Sequence, residues 1–181
     1  CESPMRMKAF FASLLFAATL LLLSRMTYAQ QDITPPALLD VTFEPAVIDA
    51  GSGPVTITVT VHVTDDLSGV EYAIFYFRQP ATTQQAYVEL RPNSSWTTHI
   101  EGDVRDGRYA ATMAIRQYAA YGFWEMSSVY LSDVVGNYIS YFKPEPGQPP
   151  NGWPEHFNKL GFTVTELPDA PPTSTPTPTP T

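Results

Sequence analysis

Three aspartates, Asp65, Asp66 and Asp133, are the side chains of this 181-residue sequence best placed by type and spacing to do chemistry. They sit in two turn clusters, Asp65-Asp66-Leu67-Ser68-Gly69 and Asp133-Val134-Val135-Gly136-Asn137. Carboxylates gathered at one end of a domain would offer calcium the hard oxygen donors it takes. The spacing lacks the dense Asp-x-Asp-x-Asp of a dedicated calcium loop, so the competing role is turn stabilisation. In that role Gly69 and Gly136 supply the positive φ of a tight turn, while Asp66, Asp133 and Asn137 bond to the turn's own backbone. Beyond such a calcium ion, no cofactor is expected.

Aromatic side chains are the second resource, at 13% of the chain. Tyr118, Tyr121, Phe123 and Trp124 surround one loop. If Tyr118 and Tyr121 project from it, they form a ring platform suited to carbohydrate. Most other rings are expected to pack on sheet faces, with Trp96 and Trp124 as buried anchors. His62, His99 and His156 are not at metal-ligand spacing and are expected to be exposed and unpaired. Glu101 and Asp103 fall in a polar turn, where solvated charge is the ordinary case. There is no Gly-x-Ser-x-Gly elbow, no His-Glu-x-x-His and no phosphate loop, so the expected role is not enzymatic. Asn93-Ser94-Ser95 is a glycosylation sequon that matters only in a eukaryotic secretory route.

The elements that must position these groups are short strands. Thr34-Pro35-Pro36 cannot pair as an inner strand and marks where the domain begins. Residues 38–43 form a first strand, broken at Glu44-Pro45 and resumed at Val47-Ile48. Val55, Ile57, Val59, Val61 and Val63 then alternate with Thr56, Thr58, Thr60, His62 and Thr64. That strict period of two predicts a strand with one dry face and one wet face. Residues 70–79, apolar on both faces, predict a central strand. Further strands are predicted over 87–90, 96–100, 109–115, 123–132 and 138–142, with one helical turn within 153–161 and a last edge strand around Phe162, Val164 and Leu167. Nothing alternates strand and helix, so the expected class is all-β: an antiparallel two-sheet sandwich.

The two ends describe delivery and display. Residues 9–23 are an apolar run preceded by Arg6 and Lys8 and followed by a small residue, Ala29, which is the layout of a secretory signal peptide. As a helix this run rises only about 22 Å, short of the roughly 30 Å bilayer core, so no membrane span is expected once the signal is cut. The expected divisions are 1–29 as signal peptide, with 1–4 as upstream read-through, 30–167 as sandwich and 168–181 as an extended Thr/Pro linker leading to a further domain or anchor. Cutting at Ala29 removes the single cysteine, Cys1, and with it thiol chemistry. It also removes Arg6, Lys8, Arg25 and Glu2, taking the net charge from −8 to −10. Nucleic acid is therefore not an expected partner.

Thr34-Pro35-Pro36, Val63-Thr64-Asp65-Asp66-Leu67-Ser68-Gly69-Val70 and Tyr130-Leu131-Ser132-Asp133-Val134-Val135-Gly136-Asn137 together resemble the bacterial immunoglobulin-like modules of secreted and surface proteins. The resemblance covers residues 32–142. It implies an immunoglobulin-like sandwich that serves as a non-catalytic spacer or adhesion domain, monomeric within a larger secreted or cell-surface chain, with a protein or a cell-surface polysaccharide as partner. The alternative role is a carbohydrate-binding accessory domain of a secreted enzyme.

Overall fold

The computed structural model describes residues 30–148 and 152–165, and the expected signal peptide, the linker and Leu167 lie outside them. Among the described residues ten strands follow one another: β1 (Ala37–Glu44), β2 (Val47–Ile48), β3 (Val55–Thr64), β4 (Val70–Arg78), β5 (Gln85–Leu90), β6 (Thr98–Gly102), β7 (Asp106–Ile115), β8 (Gly122–Asp133), β9 (Tyr138–Phe142) and β10 (Gly161–Val164). A 3-10 turn, Glu155–Lys159, precedes β10. Among the described residues no helix is long and apolar enough to cross a membrane.

The strands form two sheets. One has the order β1-β3-β7-β6; the other has the order β2-β10-β8-β4-β5, with β9 also paired to β8. All pairs are antiparallel except β2 with β10. The long strand β8 takes its two partners in series along one edge. Residues 128–132 pair with β9, and residues 122–125 pair with β10. The stretch after residue 160 is therefore not an edge strand as the sequence suggests, because β10 is held between β8 and the short β2. Central β4 is as expected, flanked by β8 and β5.

The alternation in β3 becomes the core. Ile57, Val59, Val61 and Val63 are buried, while Thr56 and Thr58 are exposed. Burying each such aliphatic side chain contributes about 1.5–3 kcal/mol. The opposing layer supplies Phe75 and Phe77 from β4 and Trp124, Met126, Val129 and Leu131 from β8. Edge and stacked ring contacts link Phe43, Phe77, Phe162 and Trp124 at centroid distances of 5.4–5.9 Å, so β10 is fastened by its phenylalanine as well as by its backbone. Replacing Ile57 with alanine should cost about 2–5 kcal/mol in urea unfolding, against less than about 1 kcal/mol for Thr58→Ala one residue along. Equal losses would mean that β3 does not present one dry face.

Candidate functional site

Asp65 begins the connection from β3 to β4, and Asp133 ends β8 just before the turn into β9. Both carboxylates fold back onto their own turns. Asp65 Oδ2 accepts from the amides of Leu67 (3.1 Å) and Gly69 (2.6 Å). Asp133 Oδ1 accepts from the amides of Val135 (3.0 Å) and Asn137 (2.8 Å), and its Oδ2 from Asn137 Nδ2 at 2.6 Å. The turns are tied together by the Val134 amide, which donates to Gly69 O at 3.0 Å. A third connection, between β6 and β7, closes the same end: Val104 O and Arg105 O accept from the amides of Val70 and Asp65.

Asp32 joins this group from the segment before β1. Its Oδ2 accepts from the Ser68 amide at 2.8 Å, and its Oδ1 accepts from the Thr34 amide and, at 3.3 Å, from Asn137 Nδ2. The neighbouring Ser68 hydroxyl above all, helped by the amides of Thr34 and Ser68, holds the Asp32 carboxyl below the ordinary carboxylate range. One oxygen each from Asp32, Asp65 and Asp133 lies within 4.8 Å of the others. Asp133 is wholly buried and Asp65 is 8% exposed. Among the described residues no lysine or arginine forms an ion pair with any of the three. Asp66, chosen from the sequence, is exposed and stands outside the group. Asp32, which was not chosen, takes its place. The available signal was an aspartate two residues ahead of Thr-Pro-Pro, where an Asx turn opens a segment that cannot enter a sheet.

Gly69 and Gly136 carry φ of +92° and +94°, the conformation their turns require. Their surroundings differ. A Cβ at Gly69 would lie 2.7 Å from Val104 Cγ2, whereas at Gly136 it would meet nothing within 4 Å.

The aromatic candidate resolves into a groove of about 730 Å³ on the flank of the sandwich. Its walls are the outer edge of β5 and the part of β7 beyond Ala110, where β6 no longer pairs. Trp124 and Val88 line it beneath, and Tyr87, Trp96, Arg116 and Tyr118 surround it. Trp124 is buried as expected, with Nε1 donating to Ala120 O at 2.9 Å. Trp96 is not a buried anchor: it is 58% exposed and lines the groove. Bonds among Arg91, Ser94 and Thr97 close its turn on themselves and leave the ring outside. Tyr118 is 71% exposed with φ of +62°, an unfavourable conformation for a bulky residue, fixed by its amide donating to Ala50 O at 2.9 Å. Tyr121 is exposed but does not line the groove.

The histidines depart from expectation in being partnered. His62 Nε2 is 2.6 Å from Asp106 Oδ1, His99 bonds to Gly102 O and lies over Tyr109, and His156 packs on Phe157. They remain on separate elements. Glu101 pairs with Arg108 at 2.9 Å, and the Arg105 and Asp106 amides hold the Asp103 carboxyl below its ordinary range, so these two acids are occupied by structure.

Taken together, the fold and its fastened end define an all-β two-sheet sandwich whose chemistry lies in turn carboxylates and one aromatic-rimmed groove. The chain belongs to the family described as a domain of unknown function, DUF7743, which matches residues 30–148. The matched span holds Asp32, both turn clusters and every groove residue, and ends before β10. No curated protein and no solved structure matches the chain.

Alanine at Gly136 should cost about 1–2 kcal/mol for the backbone conformation alone, and alanine at Gly69 about 2–5 kcal/mol because a side-chain clash is added. Chemical denaturation of the two variants checks this order; a Gly136→Ala loss equal to or above that of Gly69→Ala would contradict the packing described.

Proposed function

We propose that this chain is a non-catalytic immunoglobulin-like module of an exported bacterial protein, serving as a spacer or adhesion domain. The order β1-β3-β7-β6 corresponds to the A-B-E-D sheet of immunoglobulin sandwiches, and β10, β8 and β4 follow the order of the facing G-F-C sheet. The observation that carries the functional reading is the anchoring of Asp32. Its carboxylate reaches 36 residues along the chain to Ser68 and 105 residues to Asn137, fixing the course of the Thr-Pro-Pro segment over the end of the sandwich. A spacer needs such a joint, because a chain that swivelled at its first strand would not hold what it carries at a set direction.

A second reading, a carbohydrate-binding accessory domain, is favoured by the groove. A strained backbone that holds out an exposed tyrosine in a groove also lined by an exposed tryptophan and by arginine and glutamine suits a sugar's apolar face and hydroxyl rim.

One experiment addresses both. The full chain, fused at its C-terminus to a reporter active only outside the cytosol, is expressed in a bacterial host, and the product is applied to insoluble polysaccharides. The export reading predicts an active reporter and a mature chain beginning at Gln30; a cytosolic product retaining residues 1–29 would overturn it. Spacer function predicts no retention on the polysaccharides. The carbohydrate reading predicts retention that falls at least about tenfold in Trp96→Ala and Tyr118→Ala, in line with the loss of one or two stacked rings.

A further inference from the structure

We propose that Asp32, Asp65 and Asp133 form a calcium site at the end of the sandwich where the leading segment crosses the two turns. Three carboxylates from three separate segments converge there, with one oxygen of each within 4.8 Å of the others. The observation that points to a ligand is Asp65 Oδ1. It is buried and has no hydrogen-bond partner, although the other oxygen of the same carboxylate accepts two amides. Those amides bind Oδ2 from the Asp65 turn itself and leave Oδ1 without a donor. A buried carboxylate oxygen without a donor is the costly exception in a folded protein, and a cation satisfies it as no further backbone amide here does.

The donor set selects the ion. All three donors are carboxylate oxygens, without imidazole or thiolate, which suits calcium or magnesium rather than zinc or copper. Magnesium demands near-ideal octahedral geometry at about 2.0–2.1 Å and gives up water reluctantly, whereas calcium tolerates irregular geometry and six to eight oxygens. Three carboxylates already bonded to turn amides cannot rearrange into a strict octahedron, and the half-exposed Asp32 leaves room for water to complete a looser shell. The turn bonds act as the outer shell of the site: they hold the Asp32 and Asp133 carboxylates in place and leave Asp65 Oδ1 without a donor. Bound calcium would join the leading segment to both turns through one ion.

The test uses the full chain stripped of metal with a chelator and then titrated with calcium chloride or magnesium chloride. Isothermal calorimetry is expected to give one calcium per chain, and the melting temperature is expected to rise on the order of 5–10 °C at a hundredfold excess over Kd. Asp32→Asn, at a partly exposed position, is expected to abolish the calcium-dependent shift, read against the variant's own metal-free melting temperature. Asp66→Asn, altering an exposed neighbour of the same charge, is expected to retain the shift. Absence of heat and of any shift up to 10-fold above ordinary extracellular millimolar calcium would overturn the site. So would equal shifts with magnesium, or a shift that Asp66→Asn removes as completely as Asp32→Asn.

Discussion

A carboxylate is costly to bury unless hydrogen bonds compensate it, and the Asp133 carboxylate, wholly buried and bonded at both oxygens, is the constraint around which one end of this sandwich is organised. Its two oxygens accept from the Val135 and Asn137 amides and the Asn137 side chain, and these bonds close the turn between β8 and β9. Closing that turn places the Asn137 side chain where it also reaches Asp32 and brings the Val134 amide to Gly69 O. From there the Asp65 turn, with two amides on one oxygen, is set against the β6–β7 connection through Val104 and Arg105. Four connections that are distant in sequence are thus made interdependent by short polar contacts. A loss at Asp133 would propagate through all of them, because a buried acceptor left with unmatched donors costs more than the bond itself contributes.

The flank of the molecule follows a different logic. β6 is short and pairs with β7 only as far as Ala110, so the rest of β7 and the edge of β5 leave a gap between the sheets that side chains line rather than fill. Polar residues and three exposed rings, Tyr87, Trp96 and Tyr118, border it, together with the buried Trp124. The outer face of the second sheet adds a row of rings, Tyr87, Tyr76, Tyr130 and Phe142, each 5.5–5.9 Å from the next, which covers β5, β4, β8 and β9 in turn. Aromatic residues in this protein therefore divide three ways, among core, groove and sheet surface. That division explains how so many rings fit in a domain of modest size.

Much of the architecture is legible along the sequence because it rests on periodicity. The valines and threonines of β3, the two-sided apolarity of β4 and the Gly-containing turns after Asp65 and Asp133 each follow from residues adjacent in the chain. What was not legible depends on partners far away. β10 leaves the edge because β2, from the opposite end of the domain's sequence, pairs along its other side. Trp96 faces out because Thr97 and Ser94 close a turn on Arg91, while its large apolar ring alone suggests the core. Asp32 and not Asp66 completes the carboxylate group: Asp65 folds back onto its own turn and is buried, whereas Asp66 is exposed in the bend that follows the strand. His62 finds Asp106 across the β3–β7 ladder, a pairing set by strand register that spacing cannot convey.

The interdependence of the turns is most directly measured by amide hydrogen exchange on the full chain. The amides of Leu67, Gly69, Val135 and Asn137 donate to buried or nearly buried carboxylates, so they are expected to exchange as slowly as the inner amides of β3 and β7 and to open with them in one cooperative step. Exchange of these four at the rate of exposed loop amides, while the β3 and β7 amides stay protected, would contradict the claim that the aspartate turns are an integral part of the sandwich.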